Sequence, residues 1–238
     1  MSLLRPTDPV GTIDVPEAVP HLLRDLLHER TGLCFEDDRL GLMLEKLEPR
    51  AKAHGCRSYL DYYYILKYDA AAETEWRRVM DAFSVQETYF WRESDQIRAL
   101  VDGIVPGWFK RHAAPLRIWS AACATGEEPY SIALALRESG WGEHPIELLA
   151  SDASEAALAK ARAAVYRERS FRALPPALKE KYFEPRGDEH VLRPVIASRV
   201  TFRWANLMAL ERLPEAAGLQ VIFCRNVFIY FSADAIRR

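Results

Sequence analysis

Apolar residues recur at helical spacing through the first third of the chain. Positions three and four apart share one face of a helix, so each run predicts a helix with one buried face. Gly32 and Gly55 stand where two of these helices would end. We therefore predict a small all-α domain over residues 17–84, after a loose lead-in at residues 1–16. The runs comprise Leu22, Leu23, Leu26, Leu27; Leu40, Met43, Leu44, Leu47; Tyr59, Leu60, Tyr63, Ile65, Leu66; and Trp76, Val79, Met80, Phe83.

After about residue 95, short apolar runs alternate with helical segments. The runs LRIWSAA, IELLAS, VTFRWANL and LQVIFCRN are typical of strands, and EPYSIALALRES and SEAALAKARAAVY between them are typical of helices. Strands that alternate with helices indicate βαβ units and a largely parallel sheet. We therefore predict a linker at residues 85–97 and an α/β domain at residues 98–238.

One segment interrupts this alternation. The stretch YFEPRGDEHVLRPVIASRVTFRW contains Arg-Gly-Asp, a turn signal, between extended runs. It predicts a small β-subdomain at about residues 182–204. Pro185 and Pro194 lack amide hydrogens, so we expect a partner peptide to add to this subdomain as a strand weakly or not at all.

Composition narrows the class of protein. A formal net charge of −2 over 238 residues gives no global reason to expect nucleic-acid binding. No apolar run is long enough to span a membrane, and the N-terminus lacks the pattern of a secretory signal. The four cysteines have no metal-binding spacing, so we expect reduced thiols in a cytoplasmic protein. Cys123 and Cys224 are interpreted as small buried hydrophobic residues.

The loop CATGEEP follows the first predicted sheet strand and precedes a helix. Ligands of open α/β sheets bind beyond the carboxyl ends of strands, where the strand order reverses. Glu127 and Glu128 would repel a phosphate, but they suit a cationic ligand with hydroxyl groups, such as S-adenosylmethionine. Gly126 would let the backbone pass close to that ligand. Alternatively, both glutamates only favour the first helical turn through the helix dipole.

A second acid, Asp152, follows the next predicted strand of the sheet, in LLASDAS. In nucleotide-binding α/β domains an acid at this place binds the ribose hydroxyls. Its alternative role is to cap the following helix, which the neighbouring Ser154 could also do. Acids at two successive strand ends favour ligand binding.

The last predicted strand ends in VIFCRNVFIYF. Asn226 could present its amide to a base or a charged substrate, and Tyr230 adds a hydroxyl on an aromatic ring. We expect Phe228, Ile229 and Phe231 in the core.

The segment SVQETYFWRES joins the two halves and contains Thr88 and Arg92. An arginine at the mouth of a site can orient a substrate carboxylate. An arginine beside aromatic residues is also commonly a surface cation–π contact, and this alternative stays open.

Five segments occur in the order found in chemotaxis receptor methyltransferases: ETYFWRE, IWSAACATGEEPYSIALAL, ASDASEAALAKARAAVY, ANL and IFCRNVFIYF. The chain resembles this CheR family from about Leu22 to its last residue, and TGEEPYS and FCRNVFIYF are highly specific to it. Members methylate receptor glutamates with S-adenosylmethionine and release S-adenosylhomocysteine. The resemblance implies a Rossmann-like methyltransferase domain preceded by a small all-α domain, with a small β-subdomain inserted. The expected partner is a methyl-accepting chemoreceptor or a related signalling protein.

The resemblance also implies roles for single residues. Glu127 would bind the amino-acid end of the cofactor and Asp152 its ribose. Arg92 would lie near the methyl acceptor, with Tyr230 as the active-site tyrosine. The implied cofactor contacts from the linker, the adenine site and the last strand end are Gln86, Thr88, Arg92, Asn206, Leu207, Asn226 and Val227.

Three features depart from the family pattern. Gln86 stands where many members have asparagine. The segment FEDDRLGLMLEKLEPRAKAHG mixes acids with bases, whereas the family helix here is usually more basic. The given sequence ends with FIYFSADAIRR, whereas members continue through a helix and further strands. We therefore expect LQVIFCRN to be a sheet edge that drives self-association, or the natural protein to be longer.

Methyl transfer to a carboxylate needs no general base, because the acceptor is already ionised at neutral pH. Positioning then does most of the catalysis, with Arg92 orienting the acceptor while Phe90, Trp91 and Tyr230 exclude water. Two alternatives stay open. One is a methyltransferase acting on another protein or a small molecule, and the other is a module that binds the cofactor without turnover.

Overall fold

The structure, a computed structural model, describes residues 13–238. Most of the predicted lead-in therefore lies outside the described residues. The chain forms two compact units. One consists of the chain up to Phe83 together with Phe228–Arg238, and the other is Ser84–Val227. Each unit has its own hydrophobic core.

The first unit is helical. Its elements are α1 (Val19–Thr31), α2 (Leu40–Ala53), α3 (Tyr59–Tyr68), α4 (Ala72–Phe83), 3₁₀ turns at Asp37–Arg39 and Phe228–Tyr230, and a last helix at Ala233–Arg237. Gly32 follows α1 with a left-handed φ of 76° and donates its amide to the carbonyl of His28, which ends the helix. Ile13 is already buried in the core, so the chain is packed from its first described residue.

A buried carboxylate joins three helices of this unit. Glu75 on α4 is 2% exposed and accepts hydrogen bonds from Nε and Nη2 of Arg50 on α2, at 2.9 and 2.6 Å. The Tyr62 hydroxyl on α3 donates at 2.8 Å, and His54 Nε2 lies 2.9 Å away. Burial by itself raises the pKa of Glu75, but these partners outweigh it and the pKa is lowered. The charge of Glu75 is thus compensated by its own chain.

The second unit is an α/β domain. Its strands are β1 (Leu116–Ala121), β2 (Ile146–Asp152), β3 (Val165–Arg167), β4 (Phe183–Arg186), β5 (Glu189–Leu192), β6 (Val200–Trp204) and β7 (Val221–Cys224). Its helices are α5 (Ser94–Ala99), α6 (Val105–Phe109), α7 (Glu127–Glu138), α8 (Glu155–Ala163), α9 (Pro176–Tyr182) and α10 (Pro194–Ala197). A π-helical turn spans Leu100–Ile104, and 3₁₀ turns span Glu168–Phe171, Leu207–Arg212 and Pro214–Ala216.

The four strands predicted for the main sheet pair in parallel in the order β6-β2-β1-β7. Burial explains the nearly continuous apolar runs, because every residue of β1 except Arg117 is buried. The prediction of a Rossmann-like α/β fold behind an all-α domain is confirmed. Within the described residues β7 is one of the two outer strands of this sheet, and its Ile222 is 57% exposed. Self-association through β7 stays a prediction.

The small β-subdomain is a separate antiparallel sheet in the order β3-β5-β4. It differs from the predicted range of 182–204 at both ends. The earlier strand β3 pairs Val165 with Val191 of β5, and β6 at Val200–Trp204 belongs to the parallel sheet instead. The β3 run is only three residues long, too short to carry a strand pattern of its own. Pro185 lies in β4, at one edge of this small sheet.

Within residues 13–238, no helix combines the length and apolarity needed to cross a membrane. The same residues contain no cluster of histidine, cysteine and acidic side chains that could hold a metal ion.

Candidate active site

The carboxyl ends of the four parallel strands lie side by side. Asp152 at the end of β2 is in register with Trp204 of β6, and Ala121 at the end of β1 with Cys224 of β7. From β1 the chain continues to β2 on one side, while β7 pairs with β1 on the other, so the strand order reverses at β1. Ligands of such sheets bind at this point. The predicted cofactor residues at this edge are Glu127, Asp152, Asn206, Leu207, Asn226 and Val227.

Glu127 begins α7, and its carboxylate is buried, at 3% exposure. Thr125 Oγ1 donates to one oxygen at 2.6 Å and Ser170 Oγ to the other at 3.0 Å. Among residues 13–238, the side chains that hydrogen-bond Glu127 are thus hydroxyls rather than cations. Burial raises the pKa of Glu127, and the hydroxyls, together with the positive charge of Arg169, offset this only in part. A buried carboxylate held in this way is suited to bind the cationic group of a ligand.

Asp152 fixes the loop that follows β1. One of its carboxylate oxygens accepts the amide of Ala124 at 2.8 Å, and the other accepts the amide of Ser154 at 2.8 Å. The cap of α8 is Ser154, whose hydroxyl accepts the amide of Ala157 at 3.0 Å. The alternative capping role therefore belongs to Ser154.

The loop between β1 and α7 has unusual backbone geometry. Ala122, Ala124 and Gly126 have left-handed φ angles of 56°, 48° and 94°. Such conformations cluster at functional sites. A Cβ on Gly126 would lie 2.9 Å from Ala161 Cβ and 3.1 Å from the Tyr166 hydroxyl. The φ angle of this residue and its packing on α8 therefore require a glycine, and the approach of a ligand to its backbone stays a prediction.

The linker is anchored by an aromatic residue. Phe90 is fully buried, stacked on Phe171 at 5.5 Å between centroids and edge-on to Tyr166 and Phe183. The expectation that Phe90 would exclude water from the site is wrong, because its ring belongs to the domain core. Trp91 is half-buried and packs against the same core.

Arg92 lies partly exposed on the linker, with 26% of its side chain accessible. Its Nη1 donates to the Glu87 carbonyl at 2.9 Å, and its guanidinium lies 5.6 Å from the centre of the Tyr89 ring. The cation–π contact considered from the sequence is therefore present, and Arg172 shares the same ring at 3.8 Å. The role of Arg92 towards a methyl acceptor stays a prediction. Thr88 is half-buried on the same segment.

Two predicted cofactor residues are engaged by neighbouring side chains. Gln86 Oε1 accepts a hydrogen bond from Lys160 Nζ of α8 at 2.8 Å. Asn226 is exposed, has a left-handed φ of 57°, and its Nδ2 lies 3.4 Å from a Glu93 carboxylate oxygen. Val227 beside it is half-buried.

The residues after β6 form a short capped turn. Asn206 Oδ1 accepts the amide of Met208 at 3.0 Å, which caps the 3₁₀ turn that begins at Leu207. Leu207 packs against a small core cluster that includes Trp119. Both residues are half-buried at the sheet edge, and their contacts with adenine stay a prediction.

Tyr230 belongs to the helical unit, on the 3₁₀ turn at Phe228–Tyr230. Its ring is 38% exposed, and its carbonyl accepts the amide of Cys34 at 2.9 Å. The expectation that Phe228 and Ile229 are core residues is wrong, since they are 44% and 74% exposed. The strand pattern ends at β7, and the chain continues as a turn that does not alternate between buried and exposed faces. Phe231 is half-buried and bridges to Leu33.

The two cysteines near the strand ends are protonated thiols at neutral pH. Burial raises the pKa of Cys123 well above its usual value and that of Cys224 to about 11. Cys123 is 2% exposed and Cys224 is half-buried. Both fit the predicted role of small hydrophobic residues.

Two serines connect Glu127 with the linker and were missed in the sequence. Ser131 Oγ donates to the Glu127 carbonyl at 2.6 Å and accepts the Trp91 amide at 2.9 Å. Ser170 donates to the Glu127 carboxylate, while its carbonyl accepts the Phe90 amide at 2.9 Å. Ser131 lies four residues after Glu127 on one helix, a spacing that was visible in the sequence. Ser170 lies in a 3₁₀ turn that gave no signal.

Comparison with known proteins covers both units. The family described as CheR methyltransferase, all-alpha domain, matches residues 21–84, and the CheR methyltransferase, SAM binding domain, matches residues 86–238. A chemotaxis protein methyltransferase 2 of Vibrio cholerae is 36% identical over 220 residues, 90% of this chain and 75% of that protein.

Two further relatives carry the name chemotaxis protein methyltransferase. The one from Borreliella burgdorferi is 31% identical over 87% of this chain and 75% of its own length. The one from Escherichia coli is 30% identical over 88% of this chain and 72% of its own length. With both domain families matched in order, and with Glu127 and Asp152 at adjoining strand ends, the chain belongs to the CheR family of methyltransferases that bind S-adenosylmethionine.

Proposed function

We propose that the chain transfers a methyl group from S-adenosylmethionine to a glutamate side chain of a chemoreceptor-type signalling protein. The products are a glutamate methyl ester and S-adenosylhomocysteine. The observation that carries this proposal is the buried Glu127 carboxylate, hydrogen-bonded by hydroxyls, next to Asp152 where the strand order reverses. The names of the relatives support a receptor of the chemotaxis class as the acceptor.

The side chains at the sheet edge fit the chemistry of the cofactor. Glu127 would accept hydrogen bonds from the ammonium group of the cofactor, and Asp152 would accept them from the ribose hydroxyls of the cofactor. The cofactor supplies an electrophilic methyl group on a sulfonium centre. The adenine and the remaining polar groups would be held by Asn206, Leu207, Asn226, Val227, Gln86 and Thr88.

The acceptor carboxylate is ionised at neutral pH, so its oxygen attacks the methyl carbon without a general base. Arg92 would hold the second carboxylate oxygen and leave the first one to attack. Its hydrogen bond to the Glu87 carbonyl restricts the guanidinium, which favours orientation over a tight grip that would weaken the nucleophile. The role of Tyr230 as the active-site tyrosine is what the family resemblance implies, and it stays a prediction.

The test is methyl transfer from cofactor labelled in its methyl group to isolated chemoreceptor cytoplasmic domains. We expect label in the receptor that is released as methanol by mild alkali, because a glutamate methyl ester is alkali-labile. Arg92→Ala should lower turnover by about a hundredfold or more, with a much smaller change in cofactor affinity. Glu147→Gln, an exposed carboxylate on β2 away from the strand end, is the matched control and should transfer at the parent rate.

Other outcomes identify the alternatives. Label that resists alkali would show a different acceptor chemistry. Saturable binding of the cofactor without transfer to receptor domains or lysate proteins would favour a binding module. Failure of S-adenosylmethionine and S-adenosylhomocysteine to bind at millimolar concentration would contradict the proposal altogether.

A further inference from the structure

The linker residue Arg92 lies between two unusual backbone conformations. Trp91 and Glu93 have left-handed φ angles of 68° and 50°. Residues with a Cβ rarely adopt this region, so the surrounding structure must hold the segment in place. On the side that faces α7, the hydrogen bond from the Trp91 amide to Ser131 Oγ holds the segment in place.

On the side that faces β7, the buried Arg225 holds the segment in place. Arg225, directly after β7, donates from Nη2 to the carbonyl of Arg92 at 2.6 Å. Its side chain is only 9% exposed. Its Nε lies 3.4 Å from a Glu128 oxygen and 3.7 Å from a Glu93 oxygen. The second Glu128 oxygen accepts the Ser120 hydroxyl of β1 at 2.7 Å.

These contacts join three segments that lie far apart in the sequence: the linker, the first turn of α7 and the end of β7. Burying an arginine is costly unless its charge is paired, and Glu128 lies in the same low-dielectric environment. Glu128 follows the proposed cofactor carboxylate Glu127, and Arg225 precedes the proposed cofactor residue Asn226. The arginine therefore connects the linker backbone with the first turn of α7 and the end of β7.

We propose that Arg225, supported by Glu128, is a positioning residue that fixes Arg92 relative to the cofactor site. This inference rests on the proposed function, because it assumes that Arg92 orients the methyl acceptor. Arg225 acts through the Arg92 carbonyl and does not need to touch the acceptor. Small misplacements of an orienting group are costly in reactions driven by positioning.

Arg225→Lys tests this role, because lysine keeps the charge but has no planar guanidinium to donate from Nη2 to the Arg92 carbonyl while Nε lies near Glu128. We expect kcat to fall about tenfold to a hundredfold, with affinity for S-adenosylmethionine changed by less than about threefold. Glu128→Gln should also lower kcat, but by a smaller factor. Arg117→Lys is the control, since Arg117 also pairs with a carboxylate and backbone carbonyls but at the amino end of β1. It should leave kcat unchanged.

The decisive readout is the combination with Arg92→Ala in single-turnover transfer. If Arg225 acts through Arg92, then Arg225→Lys causes little further loss in the Arg92→Ala background. An equal loss in both backgrounds, an unchanged kcat, or unfolding of both the Arg225→Lys and the Glu128→Gln proteins would overturn the positioning role. A parent protein that binds cofactor but transfers no methyl group would instead refute the proposed function.

Discussion

Glu75 and Glu127 are both buried glutamates at the first turn of a helix, yet their pKa values move in opposite directions. Glu75, in the helical unit, is paired by Arg50 and also contacts Tyr62 and His54, which lowers its pKa. Glu127, in the α/β unit, is held by the hydroxyls of Thr125 and Ser170, and burial raises its pKa.

The difference separates a structural acid from a binding acid. A carboxylate whose charge is matched by its own chain contributes to folding and has little left to offer a ligand. A carboxylate buried among hydroxyls lowers the stability of the free protein when ionised, and it gains from a cationic ligand. The comparison predicts that the same substitution at the two positions has opposite consequences.

The largest effect is expected for Glu127→Gln. Removing the charge that we propose to face the cofactor ammonium should weaken binding of S-adenosylmethionine by about a hundredfold or more. The melting temperature of the ligand-free protein should not fall, because a neutral amide costs less to bury than an ionised carboxylate. Calorimetric titration and thermal melting of the same sample measure both. Unchanged affinity would remove Glu127 from the cofactor site.

Glu75→Gln should do the reverse. It leaves Arg50 without its buried partner and should lower the free energy of unfolding by about 2–3 kcal/mol. This is less than the roughly 3–5 kcal/mol lost when a fully buried pair is broken, because Arg50 is partly exposed. Cofactor affinity should stay the same, so this variant is the matched control for Glu127→Gln. Denaturant unfolding followed by titration checks both expectations. A large loss of affinity would break the distinction between the two acids.

The pH dependence of stability should also differ. Because the pKa of Glu75 is lowered in the folded protein, the ionised carboxylate stabilises the fold above its unfolded pKa. This stabilisation is lost as the pH falls through the folded pKa. Because the pKa of Glu127 is raised in the folded protein, the protonated carboxyl group contributes stability below its unfolded pKa. This contribution to stability is lost as the pH rises through the folded pKa.

Melting curves of the two glutamine variants and the parent, recorded across the carboxyl range and up to neutral pH, separate these contributions. Relative to the parent, Glu75→Gln should lose most stability at neutral pH and little in acid. Glu127→Gln should gain most at neutral pH. Parallel curves for all three proteins would contradict both assignments.

The smallest effect is expected for Ser170→Ala. It removes one hydroxyl from the Glu127 carboxylate and should raise the pKa of Glu127 further. Cofactor affinity should fall about threefold to tenfold, in line with a net hydrogen-bond contribution of about 1 kcal/mol. Ser198→Ala, at the end of α10, is a control for the loss of a serine hydroxyl and should bind as the parent does.

Much of the architecture followed from local pattern. The helical runs and the four strands of the parallel sheet were predictable, since helix faces and buried strands leave periodic apolar signals. The small sheet was misplaced because β3 is three residues long and its partner β5 lies more than twenty residues further along the chain. Strand pairing over such a distance leaves no local signal.

The positions of candidate site residues were predictable where these residues follow strand ends, as Glu127 and Asp152 do, while their contacts with the cofactor stay a prediction. Their supporting contacts were not predictable. Ser170 reaches Glu127 from a 3₁₀ turn 43 positions away, and Arg225 reaches the Arg92 carbonyl across 133 positions. Phe90 was assigned to the wrong surroundings for the same reason, because only the fold places it among Tyr166, Phe171 and Phe183.

The most direct test of Glu127 as the acid that binds the cofactor cation is the proton balance of binding. S-adenosylmethionine should be titrated into the parent protein at about pH 5.5, above the ordinary glutamate pKa of about 4.3, in two buffers with different heats of ionisation. The account predicts net proton release at this pH, because pairing with the ammonium lowers a pKa that burial had raised, and it predicts that this release fades towards neutral pH. Binding at pH 5.5 with no proton exchange, or with proton uptake, would contradict it.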